Sequence, residues 1–294
     1  MIKVMVLGVG RLGYDLVSEL MTRKLPCVSY CYLDTDLQAI KASSVELVLH
    51  LANSTGVCAS IKTLLKDVDL LLIVASLGER SSLLAVPQAA KAAYDLSILS
   101  IAVTTWPLFS ESEYSWRVTS LVIKSLIRTV DCHIVTSLQD LLNGLDTNAS
   151  QQEILELGQQ HCLQAVLGVI EPLVLISFPT LDYADARQFF SGSILGVSGA
   201  GSAIGAEHAT VATLAAVTQI RIALEGYLRL EDSRRFWVHI KVGLDLEIEE
   251  IDTVIKILSA LIPSCENIAV ACSMDVNIKD TFHVTLIASG LGGL

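Results

Sequence analysis

Residues 171–185 read Glu171-Pro172-Leu173-Val174-Leu175-Ile176-Ser177-Phe178-Pro179-Thr180-Leu181-Asp182-Tyr183-Ala184-Asp185, and they separate two differently patterned parts of the chain. Just upstream, Ile154, Leu155, Leu157, Leu163, Val166 and Leu167 are dense enough for a helix buried on most sides over 154–168. Pro172 has no N–H with which to continue that helix, and Pro179 forbids a restart, so the helix is expected to end before Pro172. The chain must then leave the core and present Asp182 and Asp185 at the surface. The resulting expectation is a first domain over 1–152, a central helix and connector over 153–178, and a second domain over 179–294.

Upstream, the apolar run Ile2-Lys3-Val4-Met5-Val6-Leu7 leads into Gly8-Val9-Gly10-Arg11-Leu12-Gly13 and then into a helix expected over 14–22. This is G-x-G-x-x-G between a strand and a helix. Glycines there allow a tight turn and let backbone N–H groups approach a phosphate at the helix N-terminus, or they serve turn geometry alone. A second strand over 27–33 ends at Asp34-Thr35-Asp36, where a carboxylate could accept a ribose hydrogen bond. Further apolar strands are expected over 68–75, 97–103 and 132–136, with helices over roughly 82–94 and 114–128. Strands alternating with helices in this way imply a parallel sheet covered on both faces, with ligands at the carboxyl ends of its strands.

Downstream the pattern changes. Residues 190–205 are rich in Gly and Ser, 206–224 read as an Ala-rich helix, and 247–261 as an amphipathic helix opened by acids. Strands are expected over 236–242, 268–272 and 281–288, making a mixed α/β domain of about a hundred residues.

Composition excludes several classes. The net charge of −11 argues against nucleic-acid binding as the main role, since phosphates need a basic face. Hydrophobic residues make up 52% of the 294, yet no run supplies the roughly 18–20 uncharged apolar residues of a membrane span. The opening run reads as a strand rather than a secretion signal, and the seven cysteines contain no C-x-x-C pair, so a cytoplasmic protein with reduced thiols is expected. The six histidines show no metal-ligand spacing, and no metal site is expected.

Four stretches carry a family resemblance. They are Ile2-Lys3-Val4 with Gly8-Val9-Gly10; Asp34-Thr35-Asp36-Leu37-Gln38-Ala39, like N-T-D-x-Q-A; Asp182-Tyr183-Ala184-Asp185-Ala186-Arg187, like D-F-A-D-V-R; and Thr285-Leu286-Ile287-Ala288-Ser289-Gly290, like V-T-V-I-A-T-G. Over essentially its whole length the chain resembles FtsZ, the bacterial tubulin-like GTPase that polymerises at the division site. The resemblance implies an α/β fold of the tubulin/FtsZ type: a Rossmann-like parallel-sheet nucleotide-binding domain, a central helix, and a smaller mixed α/β C-terminal domain. It implies GTP on the top face of one subunit and an acidic loop from the bottom of the next. Asp182 and Asp185 would then be catalytic in trans, although Thr180 stands where the family has Asn. Two carboxylates so spaced can orient water, or they can form a helix N-cap.

The implied nucleotide pocket is incomplete. Gly8, Gly10, Arg11, Gly13, Asp34, Gly78, Ser81, Ser82 and Glu111 remain as cofactor-binding positions. The family's G-G-G-T-G-T-G becomes Gly78-Glu79-Arg80-Ser81-Ser82-Leu83-Leu84, and Glu79 brings a negative charge toward the triphosphate site. One unit charge at about 4 Å costs roughly 4 kcal/mol at an effective dielectric of about 20. The glycine-rich loop after the second strand becomes Leu51-Ala52-Asn53-Ser54-Thr55-Gly56-Val57, the Asn-Asp after the fifth strand becomes Leu138-Gln139, and the guanine-reading Asp becomes His161. Arg11 and Arg80 could offer guanidiniums to an anion; otherwise Arg80 pairs with Glu79 or Asp34 and fills the vacancy.

The expectation is therefore an FtsZ-like protein with a degenerate site, binding GTP or GDP weakly or not at all, with Mg²⁺ only if nucleotide binds. Its partners would be itself or an FtsZ-type subunit through longitudinal top-to-bottom contacts. With no apolar run long enough to span a bilayer, no direct membrane binding is expected. A divergent active polymerising GTPase is the alternative. An NAD(P)-dependent oxidoreductase using Gly8, Gly10, Gly13 and Asp34 would explain only the first forty residues.

Overall fold

The structure, a computed structural model, describes residues 2–51, 57–107, 113–143, 150–224, 229–243, 247–263, 265–278 and 280–291. Two compact units emerge, Met1–Cys162 and Leu163–Leu294.

In the first unit strands and helices alternate: β1 (Val4–Val9), α1 (Gly10–Thr22), β2 (Val28–Asp34), α2 (Leu37–Ala42), β3 (Leu47–His50), α3 (Val57–Leu64), β4 (Leu70–Ser76), α4 (Arg80–Asp95), β5 (Leu99–Trp106), α5 (Glu113–Leu126), β6 (Cys132–Ser137), α6 (Leu138–Asn143) and the first half of α7 (Gln151–Val174). The six strands run in the order β3-β2-β1-β4-β5-β6 and every pairing is parallel. That order is the doubly wound arrangement, whose chain reverses direction across the sheet between β1 and β4. The central strands are apolar without alternation because helices cover both faces: Val4–Val9 is buried throughout, and so is 70–75. Four short elements, α2, β3, α3 and α6, lack a period long enough to be read from the sequence.

Helix α1 starts at Gly10, four residues earlier than its apolar pattern suggests. The first and last glycines of the motif make that possible. A Cβ on Gly8 would lie 2.6 Å from the Gly13 carbonyl carbon, and one on Gly13 would lie 2.7 Å from the Gly8 Cα and 2.9 Å from the Val74 carbonyl oxygen. Helix and strand cross backbone to backbone, and nothing flexible can yield. Gly13→Ala is expected to destabilise the first unit by about 3 kcal/mol, read from the midpoint shift in urea; a shift below about 0.5 kcal/mol would refute the crossing.

The second unit holds the rest of α7, then α8 (Tyr183–Phe190), β7 (Ile194–Ile204), α9 (His208–Leu224), β8 (Arg235–Val242), α10 (Ile248–Leu261), β9 (Asn267–Met274) and β10 (Thr281–Ser289). Its strand order is β7-β10-β8-β9; β10 is antiparallel to both neighbours, and β8 and β9 are parallel. The Gly/Ser-rich stretch is thus an eleven-residue strand. Its glycines hide its character because they serve a neighbour. A Cβ on Gly199 would come within 2.8 Å of the Ile220 side chain, and one on Gly201 within 2.9 Å of the Ala216 backbone nitrogen. Bare strand backbone lets α9 lie close.

One expectation fails. Helix α7 does not end before Pro172 but runs on to Val174. Proline's missing N–H orphans the carbonyl four residues earlier, that of Gly168, and the buried indole of Trp237 donates to that oxygen at 2.8 Å. Glycine at 168 also leaves room for Thr285, whose Cγ2 would stand 2.6 Å from any Cβ there. The orphaned acceptor is satisfied by tertiary structure, so the helix survives its proline. Trp237 is packed between Phe189 and Phe190, ring centroids 5.5 and 5.1 Å away.

Candidate functional site

The G-x-G-x-x-G motif leaves α1 with amides that need an acceptor. Its N-cap, Val9, has no side chain able to accept. The acceptor comes from the turn between β4 and α4: the Arg11 backbone N–H donates to Glu79 Oε2 at 2.7 Å, and Leu12 N–H lies 3.5 Å from Oε1. A carboxylate from sixty-eight residues away therefore sits where a phosphate would meet the first turn of the helix. Gly10, at φ +70°, makes room for it: a Cβ there would lie 3.0 Å from the Glu79 Cδ and 2.8 Å from Ser81 Oγ. Burial raises the Glu79 pKa above the usual carboxylate range, the two amides oppose this, and Asp34 and Asp15 add to it.

Asp34 lies beside this cap but faces its own loop. It is 8% exposed, accepts the Tyr32 hydroxyl at 2.6 Å and the amides of Thr35 and Asp36 at 2.6 and 3.0 Å. Its carboxylate is engaged before any ribose arrives. The Tyr32 pKa is raised by burial first, then by Asp34.

The remaining sequence-predicted residues divide clearly. Gly8, Gly10, Gly13, the Arg11 amide and Ser81 gather at the start of α1, while Gly78 is half-buried in the turn that carries Glu79. Ser82 is fully buried, and its hydroxyl has no partner among the described residues. The Arg11 guanidinium is exposed and turned to Asp15 at 3.8 Å. Arg80 is exposed and makes no ion pair or hydrogen bond among the described residues, so neither Glu79 nor Asp34 receives it. His161 is 8% exposed and burial lowers its pKa, which keeps a neutral imidazole where the resemblance expects a carboxylate. Glu111 and residues 52–56 lie outside the described residues.

In the second unit, Asp182 caps α8. Its Oδ1 accepts the Asp185 amide at 3.0 Å, and Asp185 Oδ2 accepts the Asp182 amide at 2.8 Å, a reciprocal capping box. Each carboxylate uses one oxygen in this way. The residues leading into the turn are held against β9: Phe178 N–H donates to the Cys272 carbonyl at 2.7 Å, and Ser177 bridges Ser273. The side chains on this rim are apolar and turned to solvent, Ile176 97% exposed and Phe178 66%, with Met274 and Val276 also exposed.

A cluster that the sequence reading misses lies behind that rim. Glu171, 3% exposed, is 3.1 Å from Lys241 Nζ, which also reaches Asp275 at 3.4 Å. His239 Nδ1 is 3.8 Å from the other Glu171 oxygen, and its Nε2 lies 2.8 Å from Ser273 Oγ. Acid, histidine and serine are aligned, but Ser273 is 1% and His239 3% exposed, and burial with the Lys241 charge pushes the imidazole down to about 3. No substrate reaches it, and so buried an imidazole is a poor base; the cluster is structural. Its trace in the sequence is a lone acid inside the apolar run before Pro172, and His239 and Lys241 two apart on a strand. Among the described residues no group of three His, Cys, Asp or Glu could hold a metal ion, and no helix is long and apolar enough to cross a membrane.

Known proteins resemble this chain in sequence and in fold. Residues 195–292 match the model of the FtsZ family C-terminal domain. The cell division protein FtsZ of Azotobacter vinelandii is 28% identical over 305 residues, covering 98% of this chain and 77% of the relative. That of Haemophilus influenzae is 26% identical over 293 residues, covering 94% and 70%. Among solved structures, an empty FtsZ dimer from M. jannaschii superposes with a TM-score of 0.89 at 19% identity, over 98% of this chain and 88% of that one. The GTPγS-bound protofilament of CetZ2 from Haloferax volcanii gives 0.75 at 14% identity, over 99% and 94%.

Proposed function

Since the chain belongs to the FtsZ family, we propose that it is a cytoplasmic assembly protein of that family which does not turn over GTP alone and works through subunit contacts. The observation that carries this reading is the Glu79 carboxylate across the first amides of α1. It opposes a phosphate both by occupancy and by charge. The other half of the shared chemistry is intact in sequence: the D-x-A-D-x-R turn is present, ordered by its capping box and rimmed by exposed apolar side chains. Relatives solved as an empty dimer and as a GTPγS-bound protofilament support end-to-end association as the working state.

Two modes follow. The chain associates with itself without nucleotide, or its acidic turn docks on the nucleotide of an FtsZ-type subunit, with Asp182 and Asp185 orienting the attacking water. In the second mode its own closed cradle recruits no further nucleotide-bound subunit, so it caps a filament or triggers hydrolysis at its end. GTP, GDP and Mg²⁺ then belong to the partner.

The test is equilibrium binding of a fluorescent GTP analogue with Mg²⁺, combined with sedimentation of the protein alone and with an active FtsZ. No saturation at high micromolar nucleotide, together with pelleting or a change in FtsZ turnover, is the expected result. Micromolar binding with GTP-dependent pelleting would instead establish an active divergent GTPase. Any stimulation of FtsZ turnover is expected to fall at least about tenfold in Asp182→Ala and in Asp185→Ala, the range for a positioned acid–base group being about 10²–10⁴. Unchanged stimulation in both variants would remove the acidic turn from the mechanism.

A further inference from the structure

We propose that a cleft in the second unit, where β7, β8 and β9 begin and β10 ends, is a peptide site. Arg234 and Arg235 would take one carboxylate of the peptide, and Asp232 and Glu266 a basic side chain beside it. The cleft has a volume of about 750 Å³ and is walled by the turn after α8, the 3₁₀ turn Leu230–Asp232 and the first residues of β8. It belongs wholly to the second unit. Helix α8 separates it from the acidic turn, and Ser177 and Phe178 are held at the other end of β9.

The charges of the cleft select the ligand. Arg235 is half-buried and makes no ion pair among the described residues; its Nη1 donates to the Gln188 and Phe189 carbonyls at 3.3 and 3.0 Å. Those carbonyls fix the guanidinium without neutralising it, and its remaining N–H groups suit a planar acceptor. The Arg234 side chain is 68% exposed and meets Glu266 only at 3.8 Å. Ser233, in the same wall, is 1% exposed, and its hydroxyl has no partner among the described residues. A carboxylate accepts from such donors and brings one negative charge. A phosphoryl group brings about two, against Glu231, Asp232 and Glu266, which also line the cleft. Asp232 is exposed, and its carboxylate makes no ion pair or hydrogen bond among the described residues, so a lysine or arginine next to the bound carboxylate has an acid to meet. The volume lies within the roughly 300–1,000 Å³ of sites for organic ligands and exceeds what a lone anion fills. Ile194 adds an apolar wall, 40% exposed and held at φ +50°, a conformation that β-branched residues rarely adopt outside functional sites.

The test measures fluorescence anisotropy of three degenerate pools of N-terminally labelled hexapeptides, otherwise free of acids, with the whole chain. One pool is amidated with a single fixed Glu, one is amidated with Gln in its place, and one is the Gln pool with a free C-terminus. At least one carboxylate pool is expected to saturate at least about tenfold more tightly than the amidated Gln pool, as the loss of one charge-assisted bond predicts. A lead for the Glu pool assigns a side-chain carboxylate, and a lead for the free-terminus pool assigns a chain end. Arg234→Gln and Arg235→Gln are each expected to weaken that binding at least about tenfold; Arg234, being exposed, carries the test if the Arg235 variant does not fold. Retained peptides are expected to be enriched in Lys or Arg beside the carboxylate, and Asp232→Lys to abolish the enrichment. Equal binding of the three pools, or binding unchanged in both arginine variants, would overturn the proposal. So would inorganic phosphate that binds more tightly than any pool and shifts the Gly192 and Ser233 amide resonances, since the cleft would then be a phosphate site.

Discussion

Lys241→Met is expected to destabilise the second unit by about 3–5 kcal/mol, the range for removing one partner of a buried ion pair. Glu171, a residue of α7 that is 3% exposed, is left with its 3.1 Å partner gone. A partial loss through Asp275, exposed enough to resolvate, adds little. His239 reports the change directly. The Lys241 charge is one of the two causes holding that imidazole down, burial being the larger, so its titration moves upward in the variant. Adding Glu171→Gln to Lys241→Met is expected to restore more than half of the loss, because it removes the uncompensated charge and leaves a smaller polar debt. Urea unfolding of the single and double variants, with imidazole resonances read alongside, checks both. A loss below about 1 kcal/mol, or a double variant weaker than the single, would show that the pair is not what holds this region.

Acid should destabilise the protein before its carboxylates are neutralised. His133 is fully buried in β6, hydrogen-bonded through Nε2 to Thr104 at 2.8 Å, with no partner for Nδ1 among the described residues; burial pushes its pKa down to about 4. His239 is pushed down to about 3. In the unfolded chain both titrate near 6.5. Folded values below the unfolded one mean that stability is complete above about pH 6.5 and is lost as pH falls toward the folded pKa, because only the unfolded state takes up the protons. Each histidine contributes a loss of about 2 kcal/mol by pH 5. His133→Gln removes that part of the slope, whatever it does to stability at pH 8. Equal stability at pH 7.5 and 5.5, or a His133 resonance titrating near 6.5, would contradict the burial.

The sequence carries the fold class because its signals are local. The uninterrupted apolar strands of the first unit, the glycine motif between β1 and α1, and the acidic turn before α8 each lie within a dozen residues. What is illegible depends on partners far along the chain. Pro172 signals a helix end, and only Trp237, sixty-five residues later, supplies the donor that lets α7 continue. β7 reads only as a Gly- and Ser-rich stretch because its glycines make room for α9 and not for its own sheet. At the site, the sequence reveals that Glu79 places a charge in the loop that the resemblance assigns to phosphate binding. That the charge turns onto the amide of Arg11, and that Asp34 is spent on Tyr32 and its own loop, depends on side-chain directions no spacing encodes. Asp182 and Asp185 show the reverse: the N-cap alternative was open from spacing alone, and the reciprocal bonds are what the structure adds.

The bond from the Arg11 amide to Glu79 also changes what the helix answers to. A cap supplied by a free anion is filled by mass action, and the stability it lends follows the concentration of that anion. A cap carried on the chain is present at a local concentration set by geometry, on the order of millimolar or higher, and it cannot be diluted. The start of α1 is therefore held to the same degree in a starved cell as in a growing one.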